Sequence, residues 1–199
     1  MINLSAGDVT AAVDRAHGGR LASLVVGGME LLVQRPSTAP IDPLSWGCFP
    51  MVPFAGRLRG GRFSWHGRLH ELERNHAGHA MHGTLFDERW TLAKRDDTYA
   101  RVEGRLNPRW PFEGWAVHEM ALAEDHIELR LEVHAADEAF PATAGWHPWF
   151  RRRLELGGDL EVDMQATRFY PRDSDGLPLG PLDPPPPHGP WDDCFTGLT

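Results

Sequence analysis

The chain has 199 residues, 41% of them hydrophobic and 24% charged, and a formal net charge of −8. That length holds one sizeable domain with its own core, and the composition is that of a soluble globular protein. The acidic balance argues against a nucleic-acid partner or an anionic membrane surface, since the basic residues are scattered and the one dense run, Arg151-Arg152-Arg153, is short.

No apolar run approaches the length of a membrane span. The opening residues, Met1 to Asp8, have neither the basic nor the apolar region of a secretion signal. Two cysteines, Cys48 and Cys194, are too few for a disulfide framework and suit a reducing compartment, although a single bridge between them stays open. The expectation is a cytoplasmic protein folded as a single domain over residues 1–199.

In chain order, the periodicity is that of strands. Leu21 to Val26 and Met29 to Val33 flank Gly27-Gly28, a two-residue turn of the kind hairpins favour. Phe63 and Trp65 alternate ahead of His66-Gly67, with Leu69 and Leu72 beyond, which predicts a second hairpin. Trp90 to Lys94 and Ala100 to Leu106 are expected to join across Arg95 to Thr98. Ala116, Met120 and Leu122 share one parity and turn through Ala123 to His126. Ile127, Leu129, Leu131 and Val133 then alternate with Glu128, Arg130, Glu132 and His134, a strand with one wet face. Helical periodicity is not evident. With 21 Gly and 17 Pro between short strands, the expected class is all-β, a large antiparallel sandwich. Gly176 to Pro190, with its four-proline run, predicts a stiff extended loop that either links or delivers the segment Trp191-Asp192-Asp193-Cys194-Phe195.

Three stretches carry candidate chemistry. Phe49 to Arg57 places an arginine after a stretch of aromatics and prolines, an unusual setting for a surface charge. A guanidinium offers a fixed fork of donors suited to neighbouring hydroxyls. His82 precedes Gly83, which lets the backbone approach a ligand closely. His147 sits in Gly145-Trp146-His147-Pro148-Trp149-Phe150, where imidazole can act as acid or base near neutrality. Trp149 can offer a flat apolar face to a pyranose. Asp192 can accept hydrogen bonds from adjacent hydroxyls. Trp110 and Trp115 lack such company and are assigned to the core. His66, His70, His76 and His79 read as polar surface. A metal site is not expected, because residues three apart on a strand face opposite ways and no carboxylate or cysteine recurs at ligand spacing.

Gly18-Gly19-Arg20-Leu21, Phe49 through Arg57, His82-Gly83 with Trp90 downstream, Gly145 to Phe150, and Asp192 to Phe195 follow one another in a familiar order. Together they resemble the aldose 1-epimerase (mutarotase) family of the galactose mutarotase-like superfamily, and the resemblance covers essentially the whole chain. It implies a β-supersandwich and interconversion of the α and β anomers of a free aldose, with no cofactor. By position, it implies that Arg57 and Asp192 bind substrate, that His147 is the general acid and that His82 assists at the ring oxygen. Two departures accompany it. The family's pattern continues past the length of this chain, through further strands, to a glutamate general base that has no counterpart among these residues. It also has Asn where this chain has Gly56. The resemblance therefore leaves a second expectation, a carbohydrate-binding protein with weak turnover or none. A sandwich short of terminal strands would also expose unpaired edges, which favour homo-oligomers.

Overall fold

A computed structural model describes residues 1–156, 158–180, 183–184 and 191–198. These fall into two compact units, Met1–Leu160 and Glu161–Thr199. The first contains β1 (Ile2–Ala6), β2 (Val9–Asp14), β3 (Arg20–Val26), β4 (Met29–Glu30), β5 (Cys48–Met51), β6 (Arg57–Leu58) and β7 (Arg62–Trp65). It continues with β8 (Arg68–Glu71), β9 (Ala80–Met81), β10 (Thr91–Arg95), β11 (Tyr99–Arg105), β12 (Gly114–Leu122), β13 (Ile127–Ala135) and β14 (Gly145–Pro148). The second contains β15 (Ala166–Tyr170) and β16 (Cys194–Leu198).

Two antiparallel sheets make the body of the first unit. One runs in the order β1-β2-β3-β5-β14, with β4 paired to β3, and the other is the meander β10-β11-β12-β13. Alternation decides which face each strand buries. Ile2 and Leu4, Val9, Ala11 and Val13 point inward from the first sheet. Ala100 and Val102, Ala116, Met120 and Leu122 meet them from the second in one apolar cluster. Facing apolar rows of two sheets are what makes a sandwich. The turn at Gly27-Gly28 has both residues in the left-handed region, φ 55° and 81°, as a two-residue hairpin turn requires.

Several expectations need correction. The first hairpin is shorter than its apolar run suggests. The Glu30 carboxylate accepts the N–H groups of Leu24 and Leu32 at 3.0 and 2.9 Å, in place of strand partners, and β4 stops there. Trp110 is buried, but Trp115 is 39% exposed and stacks on His134 on the outer face of the β12–β13 pair. His79 is buried, and its Nδ1 accepts the Gly60 N–H at 3.0 Å.

In the second unit β15 and β16 pair antiparallel, with Phe169 opposite Phe195. The segment from Trp191 thus leads into a strand. Of the predicted proline loop, residues 181, 182 and 185–190 lie outside the described residues. Cys48 and Cys194 are both free.

Candidate active site

The site is built on the pairing of β14 with β5. The register sets His147 opposite Phe49 and Trp146 opposite Pro50. Residues directly opposite in an antiparallel pair share a face and interact. Here the rings of Phe49 and His147 stack with centroids 5.0 Å apart and planes 6° from parallel. Phe49 is fully buried. Trp149, two residues beyond His147 and so on the same side of the strand, stacks on the imidazole at 5.4 Å. Its indole N–H donates to the Leu44 carbonyl at 2.7 Å. Its backbone is held on both sides, donating to Gly47 O and accepting from Val33 N.

His82 comes from a separate arm. Arg57 on β6 pairs with Met81 on β9, and the His82 and Thr84 N–H groups donate to the carbonyls of Gly56 and Val52, each at 2.9 Å. The Asn75 side chain holds Met81 from the other side, bonding both its N–H and its carbonyl. His82 itself adopts φ 60°, a conformation that a residue with a Cβ takes only where its surroundings enforce it. Gly83 follows at φ 85°, and a Cβ there would lie 2.0 Å from the Val52 carbonyl oxygen. The close approach that Gly83 permits is therefore to Val52 rather than to a ligand.

These two arms bring the imidazoles of His82 and His147 to 5.1 Å, inclined by 68°. Nδ1 of each is buried and has no hydrogen-bond partner among the described residues. Burial, reinforced by His147, Arg57 and His76, pushes His82 down to about 4. Burial also holds His147 below the ordinary imidazole range. Both rings are thus neutral near pH 7, each with one N–H and one lone pair. Arg57 lies close enough for its charge to bear on His82. A guanidinium, two neutral imidazoles and a half-exposed indole offer donors, acceptors and a flat face, the inventory that an uncharged polyhydroxylated ring would engage.

Asp192 belongs to the second unit, where its carboxylate is 93% exposed and pairs with Arg172 at 3.0 Å. Asp193 pairs with the same guanidinium at 3.4 Å. Cys48 is buried beside the site strands, and burial pushes its thiol up to about 12, so it stays protonated.

Sequence reasoning missed the supports. The Arg20 guanidinium is buried, donates to the carbonyls of His17, Pro43, Trp46 and Phe86, and lies over the rings of Trp46 and Phe49 at 3.9 and 5.2 Å. Gly18 and Gly19 press on the Phe86 backbone and the Trp90 ring. The Gly18-to-Leu21 motif is thus a packing device under the site. His118 is wholly buried, its Nδ1 2.9 Å from the Gly19 carbonyl and its Nε2 accepting the Trp146 indole N–H at 3.1 Å. That bond fixes the face of β14 opposite His147. The alternation around His118 was visible in the sequence, but its partners lie 99 and 28 residues away.

The sequence model of the aldose 1-epimerase family matches residues 1–187. The chain belongs to the aldose 1-epimerase family. Over 128 residues it is 33% identical to the uncharacterized protein YphB of Escherichia coli K12, covering 62% of this chain and 42% of that protein. A galactose mutarotase-like protein from Clostridium acetobutylicum has the same fold, with a TM-score of 0.81 at 19% identity, over 92% of this chain and 61% of that one. Galactose 1-epimerase from Lactobacillus acidophilus NCFM gives a TM-score of 0.71 at 20% identity, over 92% and 57%. The fold is accordingly the all-β galactose mutarotase-like sandwich. The chain spans about two fifths of the length of YphB and about three fifths of these two structures.

Proposed function

We propose that this member of an isomerase family interconverts the α and β anomers of a free aldose. The observation that carries the reading is the convergence of His82 and His147, from separate arms, at 5.1 Å beside Arg57. In the proposed reaction the protonated minority of His147, charged by a proton from water, delivers that proton to the ring oxygen as the bond from that oxygen to the anomeric carbon breaks, and returns to the neutral ring. His82 donates a hydrogen bond to the same oxygen. The anomeric hydroxyl loses its proton to water, leaving the aldehyde. Rotation about the adjacent carbon–carbon bond and reclosure from the other face, with the protons moving in reverse, give the other anomer. Arg57 holds sugar hydroxyls, and Trp149 lies against the ring. The proposal treats residues 1–199 as one catalytic domain in the cytoplasm, where free thiols are stable.

A second reading is a carbohydrate-binding protein of weak turnover. It is favoured by the company His82 keeps among the described residues, where the charges that bear on it come from His147, Arg57 and His76. A general base contributes about 10² to 10⁴-fold, so its lack would leave binding with slow catalysis. Polarimetry on freshly dissolved α-glucose or α-galactose, paired with calorimetric titration, separates the two. Accelerated decay of rotation supports the enzyme, and heat of binding without acceleration supports the binder.

A further inference from the structure

The outer strand of the second sheet, β13, has nine residues and pairs with β12 along its whole length without a shift of register. Its other side is a sheet edge. Which residues face that edge follows from the ladder. The Ala123 N–H donates to the His126 carbonyl at 2.9 Å, and the Ala136 N–H to the Glu113 carbonyl at 3.1 Å. Antiparallel ladders alternate bonded and non-bonded pairs, so the even-numbered residues of β13 exchange bonds with β12. Ile127, Leu129, Leu131, Val133 and Ala135 therefore turn their N–H and C=O groups to the open edge. Among the described residues none of these groups has a bond to another element.

Natural sheets blunt such edges with proline, bulges, inward charges or short strands. β13 has none of these: it contains no Pro or Gly and its inward residues are all apolar, and the charges it does carry, on Glu128, Arg130 and Glu132, lie on the outer face and alternate in sign. Ile127, Leu129, Leu131 and Val133 pack on the core cluster yet are only half-buried, as expected where an apolar layer stops one strand short.

We infer that β13 is an assembly edge whose occupant is β13 of a second copy of this chain, paired antiparallel about a two-fold axis at Leu131. This centre keeps all nine residues in the ladder. It sets Leu131 opposite Leu131, Leu129 opposite Val133 and Ile127 opposite Ala135 as bonded pairs, so the apolar layers of the two copies join. On the outer face Arg130 then falls opposite Glu132, and Glu128 opposite His134. These are the closely spaced non-bonded pairs, where opposite charges attract and like charges repel. In the monomer Arg130 and Glu132 already bond each other along the strand, as do Glu132 and His134. Crossing over adds partners to a charged row that is self-complementary under the two-fold. Such an interface is isologous and closes at two.

Light scattering after size exclusion, over a range of concentrations of the whole chain, tests this. The expected mass is twice 22.3 kDa. Arg130→Glu sets like charges opposite each other in both halves of the interface and is expected to give monomer. Arg130→Glu with Glu132→Arg inverts the pairs and is expected to restore the dimer. Circular dichroism checks that each variant keeps its strands. A monomeric wild type, a single variant that dimerises like wild type, or a double variant that stays monomeric would each overturn the inference.

Discussion

Phe49 and His147 face each other across the β5–β14 pair with their rings parallel to within 6°. Phe49 in turn lies under the guanidinium of Arg20. The imidazole is thus positioned by an aromatic floor that is itself fully buried. Phe49→Leu keeps an apolar side chain but removes the stack. It is expected to lower stability by about 1–3 kcal/mol and the epimerase rate on the order of 10²-fold, because small misplacements of a catalytic group have effects of that size. Chemical denaturation and single-substrate kinetics read the two separately. An unchanged rate would mean that strand pairing alone places His147.

The second arm depends on Gly83. Its positive φ and the 2.0 Å approach of a Cβ to a backbone oxygen leave a side chain no room. The backbone conformation alone disfavours Ala by about 1–3 kcal/mol, and the clash with Val52 adds to this. Gly83→Ala is therefore expected to lose more than that in urea unfolding. Gly56→Ala meets no atom within 4 Å and should lose only the conformational part.

How much of this was legible beforehand follows from range. The strands announced themselves through period-two alternation, as at Ile127 to Val133, and through short-range turn chemistry such as Gly27-Gly28. Arg57, His82 and His147 stood out because prolines, glycines and aromatics crowd around them. What holds them did not. The bonds of Arg20 to Pro43, Trp46 and Phe86, and the Trp146–His118 bond, join residues far apart in the chain, and no local pattern encodes such pairings. Gly83 signalled a close approach but not its object, because a glycine records only that space is short. Trp115 was misplaced for a related reason. An indole on a strand can face the core or stack on a cross-strand histidine, and the residues around it do not decide which.

The buried histidines make stability depend on pH. His118 is pushed down to about 4 by burial, and so is His82, against about 6.5 in an unfolded chain. Between those values the unfolded state binds more protons, so stability rises with pH across that window. The stabilising contribution is complete above about pH 6.5 and is lost as pH falls toward 4. Urea midpoints measured from pH 7 to pH 4.5 should fall, and His118→Asn, which removes one titrating group, should flatten the slope. A midpoint independent of pH would contradict the neutral burial of both rings.

The most direct measurement is polarimetric decay of fresh α-glucose and α-galactose with wild type and His147→Ala at equal concentration. The prediction is that wild type accelerates the decay of at least one sugar above buffer, and that the variant loses about 10² to 10⁴-fold of that acceleration while keeping its circular dichroism spectrum. A variant as fast as wild type would contradict the assignment of the ring-oxygen proton to His147.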